Sequence, residues 1–435
     1  MTAPPAALPR AGLGPAEVAG RRGPRAGAAP PVHVPGLVVG AAAASVALMP
    51  VLRPSGPGNS SPVDVLIGLC IVVTLGWAIR SGQPQRLPYG IAVATLVAAG
   101  AVAGLAGPFP GLSLLQLGQD LVLLAWCAAL ASVARSPAGL RALLRTWSWS
   151  ATGWAALLVV AYATGSSALA GVTAREGARA SLLLGDPNLA ATYFCLSILV
   201  VAASGVPGRR PLRVAAYLLL LAALGLTGSN GGLLALAVGI AVAAAVATAR
   251  RQGPVAAAGL VALGLLAAAL TVATVSPGDV RLWARQTQQP LLRDSIGRSD
   301  ASVEQRQVLI AESAVLFDEG GLLGWGPRST KPVLAARQAA YAKEAHDDYI
   351  AAVVERGVLG GVGLLLLVCA IGFRVRSLLR APPAPPFRAA LPHTAPLVGA
   401  VAATAALATN EQVLHFRHVW ALLAILAAYQ LWVAE

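Results

Sequence analysis

The chain has 435 residues, 57% of them hydrophobic and only 11% charged, with a mean hydropathy of +0.70. Soluble domains are about 25% charged, so this composition excludes a water-facing globular protein. The net charge of +14 is carried by arginines in short clusters between apolar runs, which is topology information; no nucleic-acid partner is expected.

Residues 1–33 are Ala-, Pro- and Gly-rich without periodicity and include Arg10, Arg21, Arg22 and Arg25, which reads as a disordered cytoplasmic tail. The first apolar run begins too late for a removed signal peptide. Twelve apolar runs follow, near 34–52, 63–79, 88–107, 113–134, 147–165, 187–205, 212–228, 230–249, 255–274, 350–373, 394–410 and 415–433. Their lengths are near that of a helix crossing a bilayer. The expected class is therefore all-α: a polytopic transmembrane helical bundle of about 12 spans. The ten-residue alternating segments of a spanning β-barrel do not appear.

Counting with the N-terminus inside, the cytoplasmic segments hold 18 basic residues, while the short outer loops hold only Arg53, Arg175, Arg179 and Arg417. That bias predicts both termini in the cytoplasm. The predicted organisation is a tail over 1–33, helices 1–9 over 34–274, an extracytoplasmic loop domain over 275–349, and helices 10–12 with the C-terminus over 350–435. The loop carries ten acids and nine bases, a helical patch over Ser302–Phe317, and the Gly-rich turn Gly320-Gly321-Leu322-Leu323-Gly324-Trp325-Gly326-Pro327. Cys70, Cys127, Cys195 and Cys369 lie far apart within apolar runs, with no metal or redox spacing, and read as small buried hydrophobes.

Two residue types could carry chemistry on the outer side. His346 closes the large loop in Ala345-His346-Asp347-Asp348-Tyr349, at the water–membrane boundary, where an imidazole can act as a general base. It can equally be the residue that merely precedes a helix start capped by the two aspartates. His33, His393, His415 and His418 read as incidental or interfacial. Consecutive helical residues point about 100° apart, so His346, Asp347 and Asp348 converge poorly on one ion, and no metal or cofactor is expected. Arg175 and Arg179, before Gly185-Asp186-Pro187-Asn188, and the loop arginines, Arg306 and Arg328 among them, offer guanidinium forks that match phosphate oxygens. Headgroup contacts and salt bridges are the alternative for each.

Three stretches, taken in order, carry a family resemblance. They are Arg179-Ala180-Ser181 with Gly185-Asp186-Pro187-Asn188; Thr227-Gly228-Ser229-Asn230-Gly231-Gly232; and Arg306 to Glu319 followed by Gly324-Trp325-Gly326-Pro327, Ala345-His346-Asp347-Asp348-Tyr349 and Glu355-Arg356-Gly357-Val358-Leu359-Gly360. Over roughly 170–375 the chain resembles the O-antigen ligase family, which includes O-antigen polymerases. The resemblance implies an inverting, metal-independent glycosyltransferase in the cytoplasmic (inner) membrane with an extracytoplasmic active site. Its donor would be a glycan on undecaprenyl diphosphate and its acceptor a hydroxyl on a lipid, glycan or protein. It implies that His346 activates the acceptor or binds the donor, that Arg179 contacts the diphosphate and that Arg306 assists from the loop. Where the family usually reads Ser-Arg-Gly, this chain has Ser229-Asn230-Gly231; Asn230 brings hydrogen bonds but no charge, so either another arginine, such as Arg175, substitutes or activity is altered or lost. Asn188 completes the substrate-binding set. The competing readings are a polymerase of the same family and, from another class, a transporter or flippase. A transporter places ionisable residues at mid-membrane, whereas here intramembrane charges are few, with Asp64 and Glu411 near span ends and Asp120 in the fourth span.

Overall fold

A computed structural model describes residues 33–56, 60–297, 299–339, 341–345 and 347–434. The tail expected over 1–33 lies outside them except for His33, and His346 lies outside them as well. The described chain is all helical. In order, the apolar helices are α1 (Gly36–Ala47), α2 (Pro62–Ser81), α3 (Gly90–Ala106), α4 (Pro110–Val133), α5 (Pro137–Ala163), α6 (Pro187–Ser204), α7 (Arg210–Leu226), α8 (Asn230–Gln252) and α9 (Pro254–Thr274). Four shorter or more polar helices follow: α10 (Pro277–Gln286), α11 (Pro290–Ser295), α12 (Ser299–Gly320) and α13 (Thr330–Ala336). The chain then returns to apolar helices in α14 (Asp348–Arg380), α15 (Ala395–Ala408) and α16 (Arg417–Ala428).

Each expected apolar run is thus a helix. Seven of these sixteen helices, α2, α4, α5, α6 and α9 to α11, begin at proline, whose fixed φ and missing N–H suit the first helical turn. One start moves: α5 begins ten residues before the expected 147. Ser136 caps it by accepting from the Gly139 amide at 3.0 Å, and Leu140, Leu143 and Leu144 bury one face while Arg141 and Arg145 stay outside. The apolar window had missed this amphipathic stretch.

Six helices, α2, α4, α6, α8, α9 and α14, are long and apolar enough to cross a membrane; α1, α3, α15 and Arg417–Val433 are apolar but shorter. α9 makes the solvent plain. Its mean hydropathy is 2.4 and none of its residues is buried by protein. An apolar helix with nothing covering it is stable only in lipid, where its backbone is satisfied internally and its side chains meet hydrocarbon. The protein is a multi-pass membrane protein.

Close backbone approach holds the bundle, as expected where lipid offers no hydrophobic drive between helices. A Cβ on Gly399 of α15 would stand 2.2 Å from the Gly239 carbonyl of α8. α6 is deeply enclosed, with Tyr193, Phe194 and Leu196 fully buried; Trp147 of α5 donates to Ser197 Oγ at 2.9 Å. Cys70, Cys127 and Cys195 are buried as expected, while Cys369 is exposed on α14.

Contacts sort the connections into two sets that match the expected alternation. Leu52 donates to the Leu183 carbonyl at 3.2 Å, and Arg417 forks Asp64 at 2.6–2.9 Å, both joining segments expected outside. Arg250 donates to Thr394 Oγ1 at 2.6 Å, and the His393 amide to the Ala203 carbonyl at 3.2 Å, both joining segments expected inside. The loop over 275–349 packs on the first set. Its small core of Leu309, Leu316, Val333 and Leu334 includes Val354 of α14, and Val34–Glu435 forms one unit.

Candidate active site

The first two motifs meet at Arg179. Asp186 caps α6 by accepting from the Asn188 and Leu189 amides at 2.7 and 3.2 Å, which fixes Asn188 in the first turn. Asn188 Oδ1 then accepts from Arg179 Nη2 at 2.7 Å, while its Nδ2 donates to Glu411 Oε1 at 2.7 Å. Arg179 Nε donates to the Thr227 carbonyl at 2.9 Å, one of the orphan carbonyls past the end of α7, and its Nη1 to Glu176 at 3.1 Å. Gly228, at φ +59, passes so close that a Cβ there would stand 3.0 Å from Arg179 Cγ. With 4% exposure, Arg179 is embedded in protein partners rather than open to solvent. Ser229 caps α8 by accepting from the Gly232 amide at 3.2 Å, and Asn230 is left exposed at the first position of that helix. Arg175 is 73% exposed, within 3.8 Å of the same Glu176 that pairs with Arg179.

Arg306 reaches this cluster from the loop. Its Nη1 donates to Asn410 Oδ1 at 3.1 Å, one residue from Glu411. Asn188, held by Arg179, and Arg306 from the loop therefore converge on Asn410–Glu411, a pair that in the sequence is only the end of a span. The signal was there: a carboxylate at a span end needs a partner, and Asn188 is one.

The third motif is an interlock. α14 breaks at Gly357, with φ +63 and ψ −164, and the carbonyls freed by the break accept from the Gly-rich turn: the Trp325 amide bonds the Val354 carbonyl at 3.1 Å and Gly326 that of Glu355 at 2.8 Å. In return the Val358 amide donates to the Leu322 carbonyl at 3.1 Å. Glu355 is buried and accepts from the Arg328 amide at 3.0 Å and from Thr330 Oγ1 at 2.8 Å. Glu355 is thus an anchor for the turn, which accounts for the motif pairing Gly-x-Gly-Pro with Glu-x-Gly-x-x-Gly.

His346, the expected base, lies outside the described residues. Its neighbours are placed. Asp347 caps α14 by accepting from the Tyr349 and Ile350 amides at 2.7 and 2.9 Å, and buried Asp348 accepts from the Leu414 amide at 3.2 Å, three residues from Glu411. Beside them a cavity of about 50 Å³ is lined by Asp120, Asp348, Glu355, Arg356 and His415. Arg356 binds Asp120 at 2.6 Å, and Gln116 donates to the other Asp120 oxygen at 2.8 Å. His415 sits in the turn before α16 rather than in the span. Desolvation, ahead of the opposing pull of Asp120, pushes its imidazole down to about 4, so it is neutral near pH 7. Among the described residues no three His, Cys, Asp or Glu side chains gather at metal-binding distance.

Residues 215–365 match the model of a family described as O-antigen ligase. The match covers Asn230, Arg306 and the interlock, and leaves Arg175, Arg179 and Asn188 upstream of it. No curated protein matches the chain.

Proposed function

We propose that this member of the O-antigen ligase family is an inverting glycosyltransferase that moves a glycan from undecaprenyl diphosphate to an acceptor hydroxyl at the outer face of the cytoplasmic membrane. The observation that carries the reading is the convergence of Asn188, held by Arg179, and of Arg306 on Asn410–Glu411, with Asp348 tied to Leu414 beside them. This gathers two arginines at one end of an apolar bundle, next to the segment that bears His346.

The chemistry follows from those groups. His346 takes the acceptor hydroxyl proton as the oxygen attacks the anomeric carbon from the face opposite the diphosphate. The bond to the diphosphate oxygen breaks, its electron pair leaves on the diphosphate, and the configuration inverts. Diphosphate is already a stable leaving group, and cationic donors hold its charge without a metal. Arg306 and the exposed Arg175 are placed to supply that charge; Arg179, enclosed by protein, orients Asn188 and the starts of α6 and α8.

A transporter would need charges available at mid-membrane. Instead Asp64 is forked by Arg417, Asp120 accepts from Arg356 and Glu411 from Asn188, so each supports a helix contact. A polymerase of the same family shares this mechanism and differs in acceptor. The test is transfer in proteoliposomes from an undecaprenyl-diphosphate-linked glycan to candidate lipid, glycan and protein acceptors. Wild type should transfer and His346→Ala should lose about 10²–10⁴ in turnover; near-normal transfer by that variant overturns the assignment of the base.

A further inference from the structure

The Gly-rich turn carries two leucines that the protein leaves largely uncovered: Leu322 is 76% exposed and Leu323 51%. Val358 and Leu359, just past the break in α14, are exposed as well. The Val358 amide donates to the Leu322 carbonyl at 3.1 Å, which sets the tip of the turn at the height of Val358 on that helix.

Two helices fix the depth of that tip. From Gly357 to Phe373, seventeen residues, α14 carries no charged side chain. Such a run makes about 25 Å of helix, against about 30 Å of hydrocarbon. It is shorter than the layer it has to fill, so both its ends, Val358 included, lie within hydrocarbon. α3 sets the same depth independently. It is apolar, only 17 residues long, and ends at Ala106. Pro327 of the turn packs against its shaft: a Cβ on Gly100 would stand 2.9 Å from Pro327 Cγ, and one on Gly104 3.9 Å from Pro327 Cδ. Gly100 lies about 9 Å along the helix from that end. The nearest charges belong to α12, where Glu319 is paired with Arg337, and Arg337 stacks 5.1 Å from the centre of the Trp325 ring. A tryptophan with charged neighbours is what a membrane boundary collects.

We propose that the Leu322–Leu323 tip is inserted into the acyl chains of the leaflet on the loop's side, so that the loop is fastened to the bilayer as well as to the bundle. Continuity names the occupant: the exposed apolar surface of α14, a helix able to cross a membrane, runs on from Val358 and Leu359 through Leu365 to Phe373. Insertion also explains why the turn is locked to the break. Backbone interrupted at membrane depth has no water to bond, and the Trp325 and Gly326 amides supply donors to the Val354 and Glu355 carbonyls. This anchorage does not depend on the transfer reaction.

The experiment is power-saturation electron paramagnetic resonance on the full chain in phosphatidylcholine nanodiscs. One nitroxide is placed on an introduced cysteine in a Cys369→Ser background, because Cys369 is exposed. At Leu322→Cys, oxygen, which concentrates in hydrocarbon, should relax the nitroxide more than a water-soluble nickel chelate does, as at Leu365→Cys on α14. At Lys331→Cys, exposed on the same loop, the order should reverse. A Leu322 nitroxide that behaves like the one at Lys331 overturns the proposal. So does one shielded from both relaxants, which would put a second copy or a protein partner on the tip. Thermal unfolding reads the same contact without a label. Leu322→Asp should lower Tm by several degrees in nanodiscs, since a carboxylate is costly in hydrocarbon. At a water-exposed position the same change would be nearly silent, so an unchanged Tm also overturns the proposal.

Discussion

Gly324 and Gly357 meet backbone to backbone: a Cβ on Gly324 would stand 2.5 Å from the Gly357 amide nitrogen, and one on Gly357 would stand 2.0 Å from the Leu322 carbonyl oxygen. Both residues also hold positive φ, +78 and +63. Two stretches more than thirty residues apart are thus locked at a point that admits no side chain, and the break in α14 is satisfied only through that lock.

Gly357→Ala should therefore be severe. The left-handed backbone alone costs about 1–3 kcal/mol, and the clash with Leu322 adds to it. Thermal unfolding in detergent should show a large fall in Tm, while Gly259→Ala, in open space on α9, should show none. Equal behaviour of the two would mean that the interlock contributes nothing.

Arg179→Ala should weaken use of the diphosphate-linked donor and also lower stability. It leaves Asn188 Oδ1 and the Thr227 carbonyl without their donor, and a hydrogen bond to a charged group contributes about 1.5–3 kcal/mol. Arg179→Lys should rescue only in part, since a point charge cannot reproduce three directed contacts. Arg141→Ala, exposed on α5, is the silent control. A donor KM for Arg179→Ala equal to wild type would remove it from the donor site.

His346 and His415 separate by pH. A general base must be neutral, so activity falls as pH drops through its pKa, which for an unperturbed imidazole is about 6.5. His415, held down at about 4, stays neutral through that range. The acid limb of the kcat profile should survive in His415→Gln and vanish from the residual activity of His346→Gln. The reverse pattern would exchange their roles.

Transfer should persist in EDTA, because the proposed leaving group is stabilised by guanidinium and leaves without a Lewis acid. Activity lost on chelation and restored by a divalent ion would return Asp347 and Asp348 to consideration as ligands.

Reporter fusions should place Arg141, Arg210 and Arg380 in the cytoplasm and Gly321 outside. A cytoplasmic signal at Gly321 would reverse the orientation and set the candidate site on the wrong face.

Much of the architecture was legible in the chain itself. Hydrocarbon selects apolar runs of near-fixed length, so the helices of the bundle could be read from composition, and α9 shows the limit of that logic in an apolar helix with no buried residue. Proline and serine at helix starts, and Asp186 and Asp347 as caps, act over three or four residues and were likewise local. The family resemblance was also carried by short ordered motifs, and residues 215–365 match that family. Only the tertiary structure decided which polar groups meet. Arg179 bonds Thr227, Glu176 and Asn188; Asn410 and Glu411 carried no motif yet join Arg306 to Asn188; Glu355 anchors Arg328 and Thr330. Such pairings span up to 223 residues. They follow from burial, which leaves each polar group no water to bond and so obliges it to find whichever partner the packed helices bring within reach.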